Sequence, residues 1–258
     1  MRLLNDSDTD WREFGKTDPY FAVLSSPEYH GQLPEELRLQ FFRSGEDHLN
    51  QIFSIIRERL DPAFHPATAL DFGCGVGRIL IPLASLCDEV TGVDISPAML
   101  DEARRNCNAA GAVNVRLVPS DDDLSAVDQQ YDFVHSYIVL QHIPVHRGER
   151  IVRALARRIA SNGIGMIHVT YSQVHKSIAN HALYWARTRL PGAHVMLNLA
   201  MGRPPRSALM QINRYSVTRV LDILAREGCS EVHARFSNHG GNRGVLLFAR
   251  KGGAALFG

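Results

Sequence analysis

The sequence predicts a doubly wound α/β fold: a seven-stranded, mostly parallel sheet that ends in an antiparallel hairpin, with a helical cap before it. Three observations predict it. From Thr68 onward, short apolar runs alternate with helical stretches, the pattern of βαβ units around a parallel sheet. A glycine-rich stretch, Asp71-Phe72-Gly73-Cys74-Gly75-Val76-Gly77, stands between the first such run and the first such helix. The last two apolar runs, near 231–236 and 244–250, are close enough to pair as a hairpin around a turn at 238–244.

In chain order, residues 1–10 are acidic and poor in apolar side chains, which reads as a frayed end. Residues 11–33 are aromatic and turn-rich (Trp11, Phe14, Tyr20, Phe21, Tyr29), a segment that covers something. Pro34 opens a helical pattern (Leu37, Phe41, Leu49, Ile52, Phe53, Ile56, Leu60) that stops before Asp61-Pro62, with Gly45 as a break. Strands follow at 69–72, 90–93, 114–118, 131–136 and 163–170, with helices over 78–86, 97–110 and around Ile151, Leu155 and Ile159. Ser96 as cap, Pro97 at the first helical position and Gly111 as stop delimit the second of these helices. Residues 171–210 read as an insertion after the fifth strand, with a helical stretch at 181–190 and an exposed loop at 202–206. A helix from Ser216 to Glu227 precedes the hairpin. The division is therefore a cap segment, 1–64, and one large domain, 65–258.

Composition limits the partners. The chain has 258 residues, 45% apolar and 21% charged, enough for a buried core without staples. Lys and Arg number 28 against 27 Asp and Glu, so no global field draws the protein to nucleic acid or to an anionic membrane. The four cysteines form no C-x-x-C pair and no run reaches the ~18 apolar residues of a membrane span. Free thiols, a cytoplasmic location and no metal are expected. Arg147, Arg150, Arg153, Arg157 and Arg158 form a basic cluster without interleaved aromatics, which reads as a solvated helix face rather than an RNA stripe.

The glycines after the first strand have a physical purpose: they remove side chains so that backbone N–H groups can face a ligand. Their spacing is G-x-G-x-G, not the G-x-G-x-x-G of a dinucleotide loop, because Arg78 follows Gly77. Asp94 ends the next strand, 23 residues beyond Asp71, where a carboxylate can accept hydrogen bonds from both hydroxyls of a ribose.

Leu70 to Arg78, with Val93-Asp94-Ile95-Ser96-Pro97-Ala98-Met99-Leu100, resembles the first two motifs of class I S-adenosylmethionine-dependent methyltransferases. Ser120-Asp121-Asp122-Asp123-Leu124 is similar to their acidic third motif and Tyr131-Asp132-Phe133-Val134 to their fourth strand. The resemblance covers about residues 65–170 and implies a Rossmann-like fold and S-adenosyl-L-methionine as cofactor. It implies that Asp71, Gly73, Cys74, Gly75 and Gly77 lie against the amino-acid part, that Asp94 holds the ribose and that Ile95 packs on the adenine. Asp121 or Asp122 would meet the adenine amino group, with Asp123 as a turn cap, and Tyr137 would complete the site. The acceptor side would begin at Ser136 to Pro144, where His142 is either a general base or a histidine holding the loop. A small-molecule hydroxyl, of a sugar or a natural product, is the expected acceptor. Two alternatives share the strand-glycine-helix-acid arrangement: a nicotinamide-dependent oxidoreductase and a non-catalytic binding module.

Overall fold

The computed structural model describes residues 7–173, 190, 192–200, 202 and 208–252. Its strands are β1 (Thr68–Phe72), β2 (Glu89–Asp94), β3 (Val115–Pro119), β4 (Tyr131–Ser136), β5 (Ile159–Gln173), β6 (Cys229–His239) and β7 (Asn242–Lys251). They form one sheet in the order β3-β2-β1-β4-β5-β7-β6. The first five pair in parallel, while β7 runs antiparallel to both β5 and β6. The predicted doubly wound sheet and its closing hairpin are therefore present. The hairpin turns on Gly240 and Gly241 alone, both at positive φ, so the strands extend further into the predicted 238–244 turn.

The helices are α1 (Ser7–Thr17), α2 (Pro19–Val23), α3 (Glu35–Arg59), α4 (Leu80–Ala84), α5 (Pro97–Ala109), α6 (Val145–Arg158), α7 (Ala193–Ala200) and α8 (Val217–Arg226). Ser96 caps α5 by accepting from the Met99 N–H at 3.4 Å, and Ser216 caps α8 in the same way from Arg219. Strand alternation sends neighbouring residues to opposite faces. Leu70, Phe72 and Val134 join a core with α6 and α8, whereas Ala69, Val90 and Phe133 join one with α3 and α4. A third cluster, Tyr20, Tyr29, Phe41, Val76 and Met99, sets the cap against the glycine loop and α5.

Three expectations change. Residues 7–10 of the expected frayed end are helical, because α1 begins at Ser7, and residues 1–6 lie outside the described residues. The helix predicted over 78–86 is α4 alone, the residues before it being turns. Most consequentially, α3 runs unbroken through Gly45. That glycine is a packing position: a Cβ there would overlap the backbone carbonyl of Arg78, with the carbonyl carbon at 3.0 Å. Of the insertion, the predicted helical stretch and the 202–206 loop lie almost wholly outside the described residues. Among the described residues no helix is long and apolar enough to cross a membrane.

Candidate functional site

In an open α/β sheet, ligands bind beyond the strand carboxyl ends where the strand order reverses. Here that point lies between β1 and β4, and a cavity of about 570 Å³ opens there. The loop after β1 forms its floor. The Gly73 and Cys74 N–H groups donate to the Val93 carbonyl at 2.7 and 3.1 Å, which folds the loop back onto the end of β2. Gly73 and Gly75 hold φ of +75° and +53°, a left-handed backbone that favours glycine. A Cβ at Gly73 would overlap the Val139 side chain, and one at Gly75 would stand 2.6 Å from Val23.

Asp94 ties this loop to the next element. Its Oδ2 accepts from the Gly75 N–H at 3.0 Å and its Oδ1 from the Ser96 N–H at 2.9 Å. Burial raises its carboxyl to about 6 against those hydrogen bonds, with Asp71 adding to the rise. Ile95 lines the cavity beside it, and its carbonyl accepts from Arg12 Nε of α1 at 3.4 Å. Cys74 also lines the cavity, but burial pushes its thiol well up, which makes it a packing group and not a nucleophile.

Of the expected cofactor contacts, one lies outside the cavity and another lines it with a carboxylate oxygen already bonded. Gly77 does not line the cavity: its Cα faces α5, where an added Cβ would sit 3.6 Å from Ala103. Asp71 lines the cavity, but its Oδ1 accepts from His135 Nδ1 at 2.7 Å, and His135 Nε2 lies 3.1 Å from His48 Nε2 of α3. The Asp71 carboxylate is thus spent on a buried histidine pair. Tyr137 packs its ring 4.2 Å from that of His48 and faces the cavity.

The three consecutive aspartates divide their work. Asp121 caps the turn, accepting from the Asp123 and Ser125 N–H groups and from the Ser125 hydroxyl. The capping role expected of Asp123 falls to Asp121, because Asp123 is ion-paired with Arg150. Asp122 takes two bonds from Arg147, Nε to Oδ2 at 2.9 Å and Nη2 to Oδ1 at 2.7 Å. The same guanidinium forks onto Asp8 of α1 at 2.8 and 3.0 Å. Arg147 therefore clasps the cap helix to the third motif over the cavity. With Arg150 paired to Asp123 and Arg153 and Arg157 to Glu227, all three side chains still at least 44% exposed, the predicted solvated arginine face is present and carries surface ion pairs.

His142 sits within the cavity wall with both ring nitrogens engaged. Nδ1 lies 2.7 Å from the Gln211 carbonyl, so it carries the proton and donates; Nε2 then accepts from the Gln141 amide nitrogen at 3.1 Å. The Gln141 oxygen accepts in turn from the Thr170 hydroxyl at 2.6 Å and from His239 Nε2 at 3.1 Å. Burial lowers His142 to about 4, the Gln211 carbonyl opposing and His239 adding to the fall. A neutral imidazole whose lone pair is occupied is poorly placed to take a proton. The geometry fits the loop-holding alternative, reinforced by the Trp11 ring 4.8 Å away.

A family model described as a methyltransferase domain matches residues 69–163, the stretch that carries the glycine loop, Asp94 and the aspartates. Residues 69–163 carry a methyltransferase domain, on a Rossmann-like α/β fold. Around this methyltransferase domain the likenesses thin out. A ubiquinone biosynthesis O-methyltransferase of Hydrogenovibrio crunogenus is 31% identical over 97 residues, 37% of this chain and 39% of the relative. Ribosomal RNA small subunit methyltransferase C of Idiomarina loihiensis is 28% identical over 145 residues, 50% of this chain and 39% of the relative. The chain thus spans about two fifths of the length of these curated relatives. In three dimensions, magnesium protoporphyrin IX methyltransferase from Synechocystis PCC 6803, solved with bound SAH, aligns with TM-score 0.61 at 18% identity. That alignment covers 94% of this chain and 99% of the other, a likeness of fold.

The methyltransferase domain suits its cofactor on the structure's own terms. A cavity of this size is in the ordinary range for a small-molecule site, and side-chain-free backbone lies under it at Gly73 and Gly75. Arg78, Arg147 and the His135–His48 pair were not singled out from sequence as site residues. Arg78 alone had a local signal, its position directly after the glycine loop.

Proposed function

We propose that this chain transfers the methyl group of S-adenosylmethionine to a hydroxyl of a small molecule, a natural product or sugar. The observation that carries the reading is Asp94, held by the Gly75 and Ser96 N–H groups at the switch point of the sheet. Asp94 would accept from the ribose hydroxyls, Ile95 would pack on the adenine, and Asp121 would offer its remaining lone pairs to the adenine amino group. The backbone around Gly73 and Gly75 would lie along the amino-acid part. The bound cofactor supplies an electrophilic methyl group on a sulfonium, so the protein's own task is chiefly proximity and exclusion of water. Trp11 and Tyr29 from the cap, with Met210 and Ile212, give the acceptor end an apolar wall. The α6 arginines support a small molecule over RNA, because Arg147, Arg150, Arg153 and Arg157 are turned to carboxylates and present no unpaired phosphate-binding stripe. The four free, buried cysteines support a reducing compartment such as the cytoplasm.

The test is calorimetry with S-adenosylhomocysteine and with NAD, followed by methyl-transfer turnover. Binding of the first and not the second is expected; the reverse would sink the reading, and binding without turnover on any acceptor would favour a non-catalytic module. The pH dependence is a second expected result. Ribose hydroxyls donate to the ionised form of Asp94, whose carboxyl stands at about 6 without ligand. Affinity should therefore rise as pH climbs through about 6, with a proton released on binding near that pH. In the ligand-free protein the sign is opposite: the raised acid favours the fold below pH ~4 and loses that contribution as pH rises through about 6. Affinity flat between pH 5 and 7 would speak against the ribose role.

His142→Ala separates holding from base catalysis. It removes the donor to Gln211, unpairs the Gln141 amide and strips the Trp11 contact, for a stability loss of roughly 2–4 kcal/mol. Thermal stability and cofactor affinity should fall together. A hundredfold loss of single-turnover rate at normal affinity would instead restore His142 as the base.

A further inference from the structure

The two edges of the sheet differ. At one side β3 is five residues long, carries the exposed Arg116 and ends on Pro119, features that blunt an edge against further pairing. At the other, β6 runs eleven residues, Cys229 to His239, with no proline, glycine or lysine, and pairs only with β7. In a ladder every second residue turns its N–H and C=O groups away from the partner strand. On β6 that outer row has no hydrogen-bond partner among the described residues. Ala234, Arg235 and Phe236 are exposed in succession, so neither face of the strand is covered there. Phe236 is 71% exposed, its ring 5.9 Å from that of Tyr171. A long open edge of this kind is a template for one more strand.

The side chains on β6 say which strand fits. Glu231 and Arg235 stand four residues apart on one face, with His233 between them on that same face, its ring 6.0 Å from that of Phe248. Both are exposed, and neither has an ion-pair partner among the described residues. Laid antiparallel on a second β6 with the two-fold axis at His233, Glu231 faces Arg235 of the second copy and Arg235 faces its Glu231. Opposed residues in such a pair stand with Cβ atoms ~5 Å apart, the spacing at which opposite charges attract. Moving the axis two residues either way sets Glu231 against Glu231 or Arg235 against Arg235, so charge selects one register. On the other face Val232 meets Ala234, and Phe236 lies diagonal to Val232 of the second copy, within reach of an aromatic ring. We propose that β6 is the docking surface for a second copy of this chain, the two edge strands pairing antiparallel about His233 so that the two sheets become one. Each contact then occurs twice, as a self-complementary two-fold interface requires. The inference stands apart from the cofactor reading, yet it touches the site: β6 ends at His239, which lines the cavity with Gly240 and Asn242, so the pairing braces the hairpin that walls it.

The experiment is sedimentation equilibrium of the full chain over a concentration series, with circular dichroism to check that each variant keeps its sheet. One pair of edge strands lies at the small end of specific interfaces, so a dimer with a dissociation constant in the micromolar range is expected. Glu231→Arg and Arg235→Glu each set like charges opposite one another at both symmetric positions, and each alone should weaken the dimer by roughly tenfold or more. An equimolar mixture of these two variants should associate as wild type does, because one strand then carries two positive side chains and the other two negative ones. The double variant, with both charges exchanged, should also pair with itself at near wild-type strength. A wild-type chain that stays monomeric up to millimolar concentration would overturn the proposal. So would a dimer indifferent to both single changes, since its contact would lie on another face. Single variants that fold but stay monomeric when mixed would overturn it too, because their charges would then act within one chain and not across a pair.

Discussion

Asp94→Ala should weaken S-adenosylhomocysteine binding by roughly 30- to 1000-fold, the equivalent of about 2–4 kcal/mol. Two losses add. The ribose loses a charged acceptor, and the Gly75 and Ser96 N–H groups, now bonded at 3.0 and 2.9 Å, lose theirs, so the glycine loop is no longer tied to the start of α5. Asp94→Asn, which keeps one acceptor oxygen, should fall between wild type and alanine. Calorimetry measures the affinity and circular dichroism checks that the sheet is intact. Alanine-variant affinity within twofold of wild type, in a folded protein, would falsify the ribose role.

Gly45→Ala should cost about 2–3 kcal/mol of stability, the range for overpacking a tight contact, and should lower cofactor affinity as well. The sign is informative. In an open helix interior, replacing glycine by alanine stabilises by roughly 0.5–1 kcal/mol, because the unfolded chain loses freedom and the helix gains propensity. Here the new Cβ would overlap the Arg78 carbonyl, a backbone atom that cannot swing away as a side-chain tip would. Either α3 lifts from the loop or the loop deforms, and the second displaces Arg78 and the glycines before it. Thermal denaturation with and without S-adenosylhomocysteine distinguishes them. A variant more stable than wild type would mean that α3 and the loop do not meet as the structure places them.

Gly45 also marks a limit of local reading. A glycine inside a helical pattern reads as a break, since propensity is a property of the helix by itself; the contact with Arg78 spans 33 positions in the chain and leaves no trace in the periodicity. The aspartate run shows the same limit at another scale. Three adjacent carboxylates are chemically alike, and their separate fates depend on Ser125, Arg147 and Arg150, two of which arrive on α6. His142 could be placed on its loop from sequence, but which nitrogen carries the proton depends on the Gln211 carbonyl, 69 residues away.

By itself the sequence determined the elements that follow local rules: strand and helix alternation through period and capping, the glycine loop through the absence of side chains, and Asp94 through its place at a strand end. It also determined the family, because backbone that must approach a ligand constrains residue types at fixed short spacings. Only the tertiary structure decided the pairings. Asp71 turned to a histidine pair, Gly77 turned to α5, Arg147 clasped the cap, and Arg78 was buried with its Nη1 on the Ser44 hydroxyl. The physical reason is that hydrogen bonds and ion pairs join whatever groups the packing brings within about 3 Å, and that proximity belongs to the fold rather than to any stretch of chain.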